Sequence, residues 1–246
     1  MTDHLTTPKG RRIAHVQTPG QGPGVVFLGG FMSDMGGSKA LFLQDWAERH
    51  GRAFLRFDYS GHGQSSGTFE EGCIGDWFED ALAVIKARTE GPQILVGSSM
   101  GGWIALQIAR ALPERIKGLV GIAPAPDFTE DSMWAGFSEG QRRRLMTEGR
   151  IVIPSDYSPD GYPITRRLIE EGRQRLVLRA PLPLPFPVRI LQGTADTDVP
   201  PAVALRLMDH AECDDFRLTL VKGADHRFST PDCLAMIAAA VNEVSV

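Results

Sequence analysis

Short, unbroken apolar runs alternate along the chain with longer stretches in which apolar residues recur every three or four positions. The runs occupy residues 25–28, 53–57, 93–97, 118–123, 188–193 and 216–221. Continuous apolar character over so few residues suits strands buried on both faces of a parallel sheet. Between them, residues 39–50, 74–88, 100–112, 201–210 and 231–244 carry helical patterns. In the second of these, Trp77, Phe78, Ala81, Leu82 and Ile85 fall on one stripe, which reads as ordinary core packing. The alternation predicts the α/β class: a mostly parallel central sheet covered by helices on both faces, in one domain spanning residues 1–246. Residues 12–16, "RIAHV", are expected to add an antiparallel edge strand.

One interval breaks the rhythm. About sixty residues separate the run ending at Ala123 from the run beginning at Val188, too many for a plain loop. The pattern predicts a helix over 138–148, an extended segment over 150–157, a helix from about Ile164 to Leu178, and a proline-rich connector over 180–188. An insertion at the carboxyl edge of a parallel sheet lies where ligands bind, so residues 124–187 are expected to form a cap.

Composition narrows the class. The 246 residues suit one large domain, and 42% hydrophobic with 23% charged residues is ordinary for a protein with a large core. A net charge of −4 with no long basic run argues against a nucleic-acid partner, and "RRR" at 142–144 reads as a solvated helix face. Cys73, Cys213 and Cys233 are odd in number and outside any CxxC spacing, which argues against a disulfide framework or zinc site. The first dozen residues hold no apolar signal region, and no run approaches membrane-span length. A cytoplasmic protein without a membrane span is the expectation; the oligomeric state is left open.

The chemistry centres on "GSSMGG", residues 97–102. Gly97-Ser98-Ser99-Met100-Gly101 matches G-x-S-x-G, after an apolar strand and at the opening of a helical pattern, the setting of a nucleophile elbow. Ser99 takes the nucleophile position, with Ser98 turned to the scaffold. A serine hydroxyl needs an adjacent base. Of six histidines, His4 and His50 read as surface residues, His15 as part of a strand, His210 as a helix end, and His62 as part of the turn "SGHGQSSG". His226, in "GADHRF" after the last strand, is the candidate base. An acid between the two in sequence would orient the imidazole. "LQGTADTDVPP" offers Asp196, favoured for its place just past a strand, and Asp198, which could instead cap the next helix; Asp225 is a distant third. The backbone N–H of Met100 and that of Phe31, in "LGGFMSD", are the candidate oxyanion donors.

Taken together, "GGF", "FDYSGHGQSSG", "GSSMGG", "GTADTDVP" and "GADH" resemble the α/β-hydrolase superfamily from about Val25 to the C-terminus. The stretches "MGGSKALFLQDWAERHGRAFLRFDYSGHGQSSG", "GPQILVGSSMGGW" and "IPSDYSPDGY" are most similar to the branch holding mitochondrial palmitoyl-protein thioesterases and acyl-glucuronide esterases, here in a bacterial-type form without a transit peptide. The resemblance implies a Ser99–Asp196–His226 triad, oxyanion donors at Phe31 and Met100, a structural His62, and no metal or organic cofactor. Two departures stand out: Gly29 lies where many members have histidine, and Ala224-Asp225 precedes His226 where many have glycine.

The implied reaction is hydrolysis of a carboxylic ester or thioester through an acyl-enzyme, on a small molecule or an acylated protein. Met32, Met35, Met133, Trp134 and Phe137 are the candidate substrate-lining residues, since ligand pockets are mostly apolar. Arg150, Arg166 and Arg167 could meet an anionic leaving group or simply be solvated. Peptidase, lactonase and C–C hydrolase chemistry, or a non-catalytic binding protein on the same fold, are the alternatives.

Overall fold

The computed structural model describes residues 2–155 and 158–245. Its first half runs β1 (Asp3–Thr6), β2 (Arg12–Thr18), β3 (Gln21–Leu28), α1 (Ser38–Arg49), β4 (Arg52–Phe57), α2 (Ile74–Arg88), β5 (Gln93–Ser98), α3 (Met100–Ala111) and β6 (Ile116–Ile122). An insertion follows, with a π-helical turn (Thr129–Trp134), α4 (Glu139–Glu148), β7 (Arg150–Ser155), β8 (Ser158–Thr165), α5 (Arg166–Gly172) and the short β9 (Leu182–Pro183). The chain then returns through β10 (Val188–Gly193), α6 (Pro201–His210), the short β11 (Ala211–Glu212), β12 (Phe216–Val221) and α7 (Pro231–Glu243).

Eight strands form the main sheet in the order β1-β2-β4-β3-β5-β6-β10-β12. From β4 to β12 every pairing is parallel; β2 runs antiparallel to β4, and β1 antiparallel to β2. The "RIAHV" strand is therefore antiparallel as expected, but it is not the edge. Residues 3–6, too short and polar to announce themselves, pair outside it. His15 is accordingly buried.

Five of the six apolar runs are continuous because each strand feeds two cores; the sixth, β12, is an edge strand with no fully buried residue, so the double burial expected for 216–221 is not found. On β3, Val26 and Leu28 enter one cluster while Val25 and Phe27 enter the other; on β5, Leu95 opposes Ile94 and Val96. Trp77 of α2 and Trp103 of α3 fill the first cluster, and α1 and α7 cover the second. Burial of this kind contributes about 25 cal/mol for each Å² of apolar surface removed from water.

The insertion departs from expectation in one element. The second helix does not run from Ile164 to Leu178: Ile164 is in β8, and α5 stops at Gly172. Thr165 accepts the Leu168 N–H and so starts the helix after itself. Beyond Gly172, the N–H groups of Val177 and Leu178 turn to the buried carboxylate of Asp127, at 2.8 and 3.0 Å, instead of continuing the ladder. The helix expected over 138–148 begins at Glu139 behind a Ser138–Gln141 capping box and ends at left-handed Gly149. The extended segment expected over 150–157 is β7 as far as Ser155; Asp156 and Tyr157 lie outside the described residues.

All three cysteines are free, with Cys73 and Cys233 buried and Cys213 half-buried. No helix among the described residues is long and apolar enough to cross a membrane.

Candidate active site

After β3 the chain turns one way to β4, and later the other way to β5, so the sheet's strand order reverses between β3 and β5. Crevices at such reversals, at the carboxyl ends of the strands, are where open α/β sheets bind ligands. Two predicted segments meet there. "GGF" leaves β3, and the "GSSMGG" turn joins β5 to α3.

Ser99 has φ +53° and ψ −118°, a conformation costing about 1–3 kcal/mol for a residue with a side chain. The surroundings hold it there. Its N–H donates to Ile122 O at 2.9 Å, and its carbonyl accepts from Gly102 and Ala125. The flanking glycines are steric necessities: a Cβ on Gly97 would stand 2.4 Å from Gly101 O, and one on Gly101 only 2.1 Å from Leu28 O. Ser98 is buried on the scaffold side.

The loops after β10 and β12 bring the other candidates to Ser99. His226 Nε2 lies 3.1 Å from Ser99 Oγ, and His226 Nδ1 lies 2.8 Å from Asp196 Oδ2. Asp196 receives four donors. Oδ2 also accepts from Gln192 Nε2 at 3.0 Å, and Oδ1 accepts from the N–H groups of Asp198 and Val199 at 3.0 and 2.8 Å. Burial alone would raise the Asp196 carboxyl, but the bonds from His226, Val199 and Gln192 together hold it below its ordinary value. Asp198 does not cap α6, whose N-cap is Pro200 with no side-chain bond. Asp225 accepts the Phe228 N–H and shapes the histidine loop.

Asp196, Asp198 and His226 each bring one donor atom within 4.8 Å of the others, the one such grouping among the described residues. A metal would have to displace bonds already made, because Asp196 is saturated and both imidazole nitrogens face partners. The trio suits proton transfer better than ligation.

Met100 opens α3, where backbone N–H groups have no intrahelical acceptor. No protein group among the described residues accepts from the Met100 or the Phe31 N–H. Gly30 lies beside the elbow: a Cβ there would be in ordinary contact with Ser99 Cβ, at 3.6 Å. Asp58 Oδ1 accepts the Met35 N–H at 2.6 Å and Arg56 donates to Met35 O at 2.7 Å, pinning the far end of that loop.

The substrate-lining candidates divide. Met35 does not line the site: its side chain packs with Ala14 and Val16, because the Asp58 and Arg56 bonds turn it toward β2. Met32 follows Phe31 and is 38% exposed, on left-handed backbone. Met133 and Phe137 pack into the core beneath the insertion. Trp134 turns outward, with the guanidinium carbons of Arg142 and Arg173 at 5.3 and 4.6 Å from its ring centre. Arg142 is thereby drawn out of the solvated face expected for 142–144. Arg150, Arg166 and Arg167 pair with Glu70, Glu170 and Asp76 respectively and are not poised over Ser99.

Several contributors carry no signal in the sequence. The Phe31 ring makes edge contacts with Phe69, Trp77, Phe128 and Tyr162 at 4.8–6.0 Å, fastening the insertion to the body beside the loop that follows β3. Only the tertiary fold gathers these five rings. Gln192 was part of an apolar strand run, and its contact with Asp196 depends on the turn that follows. Lys39 Nζ donates to Arg227 O at 2.5 Å, across 188 residues of sequence.

His62 lies under these rings, within 5.1–5.7 Å of Tyr59, Phe69 and Trp77, with Nδ1 3.1 Å from Ser60 O. Burial pushes its pKa down to about 4 from an ordinary 6.5. The unfolded chain therefore binds a proton that the folded chain refuses between those values. Stability from this group is complete above pH 6.5 and falls as pH drops toward 4, by about 3 kcal/mol in all. Urea unfolding of wild type and His62→Asn across that window should show the difference, with the acid-dependent part of the slope missing in the variant.

The family model described as "Serine aminopeptidase, S33" matches residues 23–158. The mitochondrial palmitoyl-protein thioesterase ABHD10 of Bos taurus is 34% identical over 244 residues, covering 98% of this chain and 78% of its own length. The chain belongs to the α/β-hydrolase family. Among solved structures, a putative hydrolase from Agrobacterium vitis S4 matches with a TM-score of 0.96 at 41% identity, covering 100% of this chain and 99% of its own. Mouse α/β-hydrolase domain-containing protein 10 matches with a TM-score of 0.92 at 33% identity, covering 99% and 98%. As an α/β-hydrolase, this protein is a serine hydrolase of the group that cleaves ester and thioester bonds.

Proposed function

We propose that this hydrolase acts through an acyl-enzyme on Ser99, with His226 as base, Asp196 as the orienting acid, and the Phe31 and Met100 N–H groups as oxyanion donors. The relay of two hydrogen bonds from Asp196 through His226 to Ser99, 2.8 and 3.1 Å long, is the observation that carries the reading. Ser99 Oγ attacks the acyl carbon as its proton passes to His226 Nε2. The developing oxyanion is held by the two backbone donors, each worth about 3 kcal/mol where such a donor has been removed by mutation. His226 returns the proton to the departing alcohol or thiol. It then takes a proton from water as the water oxygen attacks the acyl carbon, and passes that proton to Ser99 Oγ as the acyl bond breaks, releasing the acid and restoring the serine.

The aromatic cluster around Phe31 favours an apolar acyl group, and palmitoyl-protein thioesterase relatives suggest a thioester carrying a long one. The segment between β6 and β10 acts as the cap over this group. The acceptor side is a small molecule or an acylated protein. Purified protein should hydrolyse acyl oxygen esters and acyl thioesters, with kcat/KM rising with chain length. Acyl glucuronides and aminoacyl amides complete the panel. Turnover confined to the amides would move the protein to the aminopeptidase class named by its family model.

A further inference from the structure

The insertion also borders an open cavity to which the aromatic cluster around Phe31 does not contribute. It has a volume of about 680 Å³ and is lined by Glu130, Asp131, Trp134, Ala135, Arg142, Arg173, Leu176, Arg179 and Arg206. None of Ser99, Asp196 or His226 contributes to it. Its wall joins the π-helical turn, α4, the segment after α5, and α6 of the main fold, so it sits at a seam between insertion and body.

Four guanidinium groups share this cavity with two carboxylates. Even with buried Asp127 behind Arg179, positive charge is in excess by one. The carboxylates are placed to one side. Asp131 pairs with both Arg179 and Arg206, and Glu130 pairs with Arg173 through Nε. Arg142 has no carboxylate partner among the described residues. Its Nε and Nη2 donate to the Trp134 and Ala135 carbonyls, each at 3.0 Å. The Trp134 ring then holds Arg142 and Arg173 in place by cation–π contact.

The result is two guanidinium groups held against one indole in the same cavity. Nη1 of Arg142 and both Nη groups of Arg173 have no protein acceptor among the described residues. A network serving stability alone would balance these charges, since unpaired like charges in one cavity repel. Forks fixed in advance bind oxyanions with little further loss of freedom. Two forks on separate elements suit a tetrahedral group that offers several oxygens and up to two charges, whereas a planar carboxylate matches one fork.

We propose that this cavity is an anion-binding site for the phosphoryl groups of a phosphorylated small molecule, separate from the Ser99 centre. Its volume accommodates an organic phosphate as well as the anion alone.

The test is titration of the full chain with pyrophosphate, inorganic phosphate and adenosine monophosphate, against sodium chloride of equal ionic strength. Calorimetry and tryptophan fluorescence are the readouts. Saturable binding is expected, with a fluorescence change that Trp134→Phe abolishes and a rise in Tm on ligand addition. Arg142→Gln and Arg173→Gln should each weaken binding about tenfold, the loss of one charge-assisted contact. Arg144→Gln, the same charge change on the exposed face of α4, should leave it intact. Tighter binding of adenosine monophosphate than of phosphate would mark an organic ligand, and the reverse a free anion. Binding no stronger than chloride, or undiminished in both arginine variants, overturns the proposal. Ser99→Ala should bind like wild type, so this outcome is independent of the hydrolytic reading.

Discussion

Ser99→Ala should lower kcat for ester and thioester hydrolysis by about 10⁵- to 10⁶-fold, the scale on which serine triads lose activity when the nucleophile is removed. It should also abolish labelling by a fluorophosphonate probe. The neighbouring Ser98→Ala should label as wild type, because Ser98 is buried on the scaffold side. Stability offers a second, opposite signature. Ser99 sits at φ +53° in a turn so tight that neither Gly97 nor Gly101 has room for a Cβ. Ser99→Gly should relieve that strain and raise the unfolding free energy by about 1 kcal/mol while leaving the protein inactive. A merely structural turn predicts no such pairing of lost turnover with gained stability. Probe labelling that persists in Ser99→Ala would defeat the assignment.

The elbow was legible in the sequence because its constraints are local. Small residues at 97 and 101 and a strand-to-helix change across 99 can all be read within a dozen positions. The five central parallel strands were legible for a related reason: double burial leaves a continuous apolar run, whereas β1, polar and four residues long, leaves none, and β12, the other edge, is only half-buried despite its apolar residues. The insertion was harder. Its second helix ends where Asp127 captures the Val177 and Leu178 N–H groups, a contact spanning some fifty residues that no local pattern records. The substrate side failed in the same way. Met35 looked like lining because it is apolar and near Phe31, but Asp58 and Arg56 turn it toward β2. Phe69, Trp77, Phe128 and Tyr162 converge on Phe31 from four separate segments. Residue type was informative; direction was set by long-range hydrogen bonds.

The acid is where sequence left two neighbours in contention, and the hydrogen-bond inventory separates them. Asp196→Asn should lower kcat by about 10⁴-fold with the fold retained, whereas Asp198→Asn should cost less than about tenfold. An Asn at 196 must set its amide NH₂ against donors on one side or the other. On the Oδ1 side stand the backbone N–H groups of Asp198 and Val199, which cannot change polarity. On the Oδ2 side stand Gln192 and His226, and of these the imidazole can. The Gln192 amide is held the other way, its Nε2 donating to Val199 O at 3.0 Å as well as to Asp196, so it cannot reverse without losing that bond. The imidazole can change tautomer, making Nδ1 the acceptor. The Asn amide therefore settles toward His226 and fixes the proton on Nε2, the nitrogen that must accept from Ser99. Only the Gln192 bond to position 196 is lost, so stability should fall by about 1 kcal/mol while turnover collapses. Asp198, by contrast, supplies its backbone N–H to Asp196, and that donor survives replacement of its side chain. Steady-state kinetics of the two variants, read beside their urea midpoints, decide the matter: a collapse confined to Asp198→Asn would transfer the role of acid from Asp196 to Asp198.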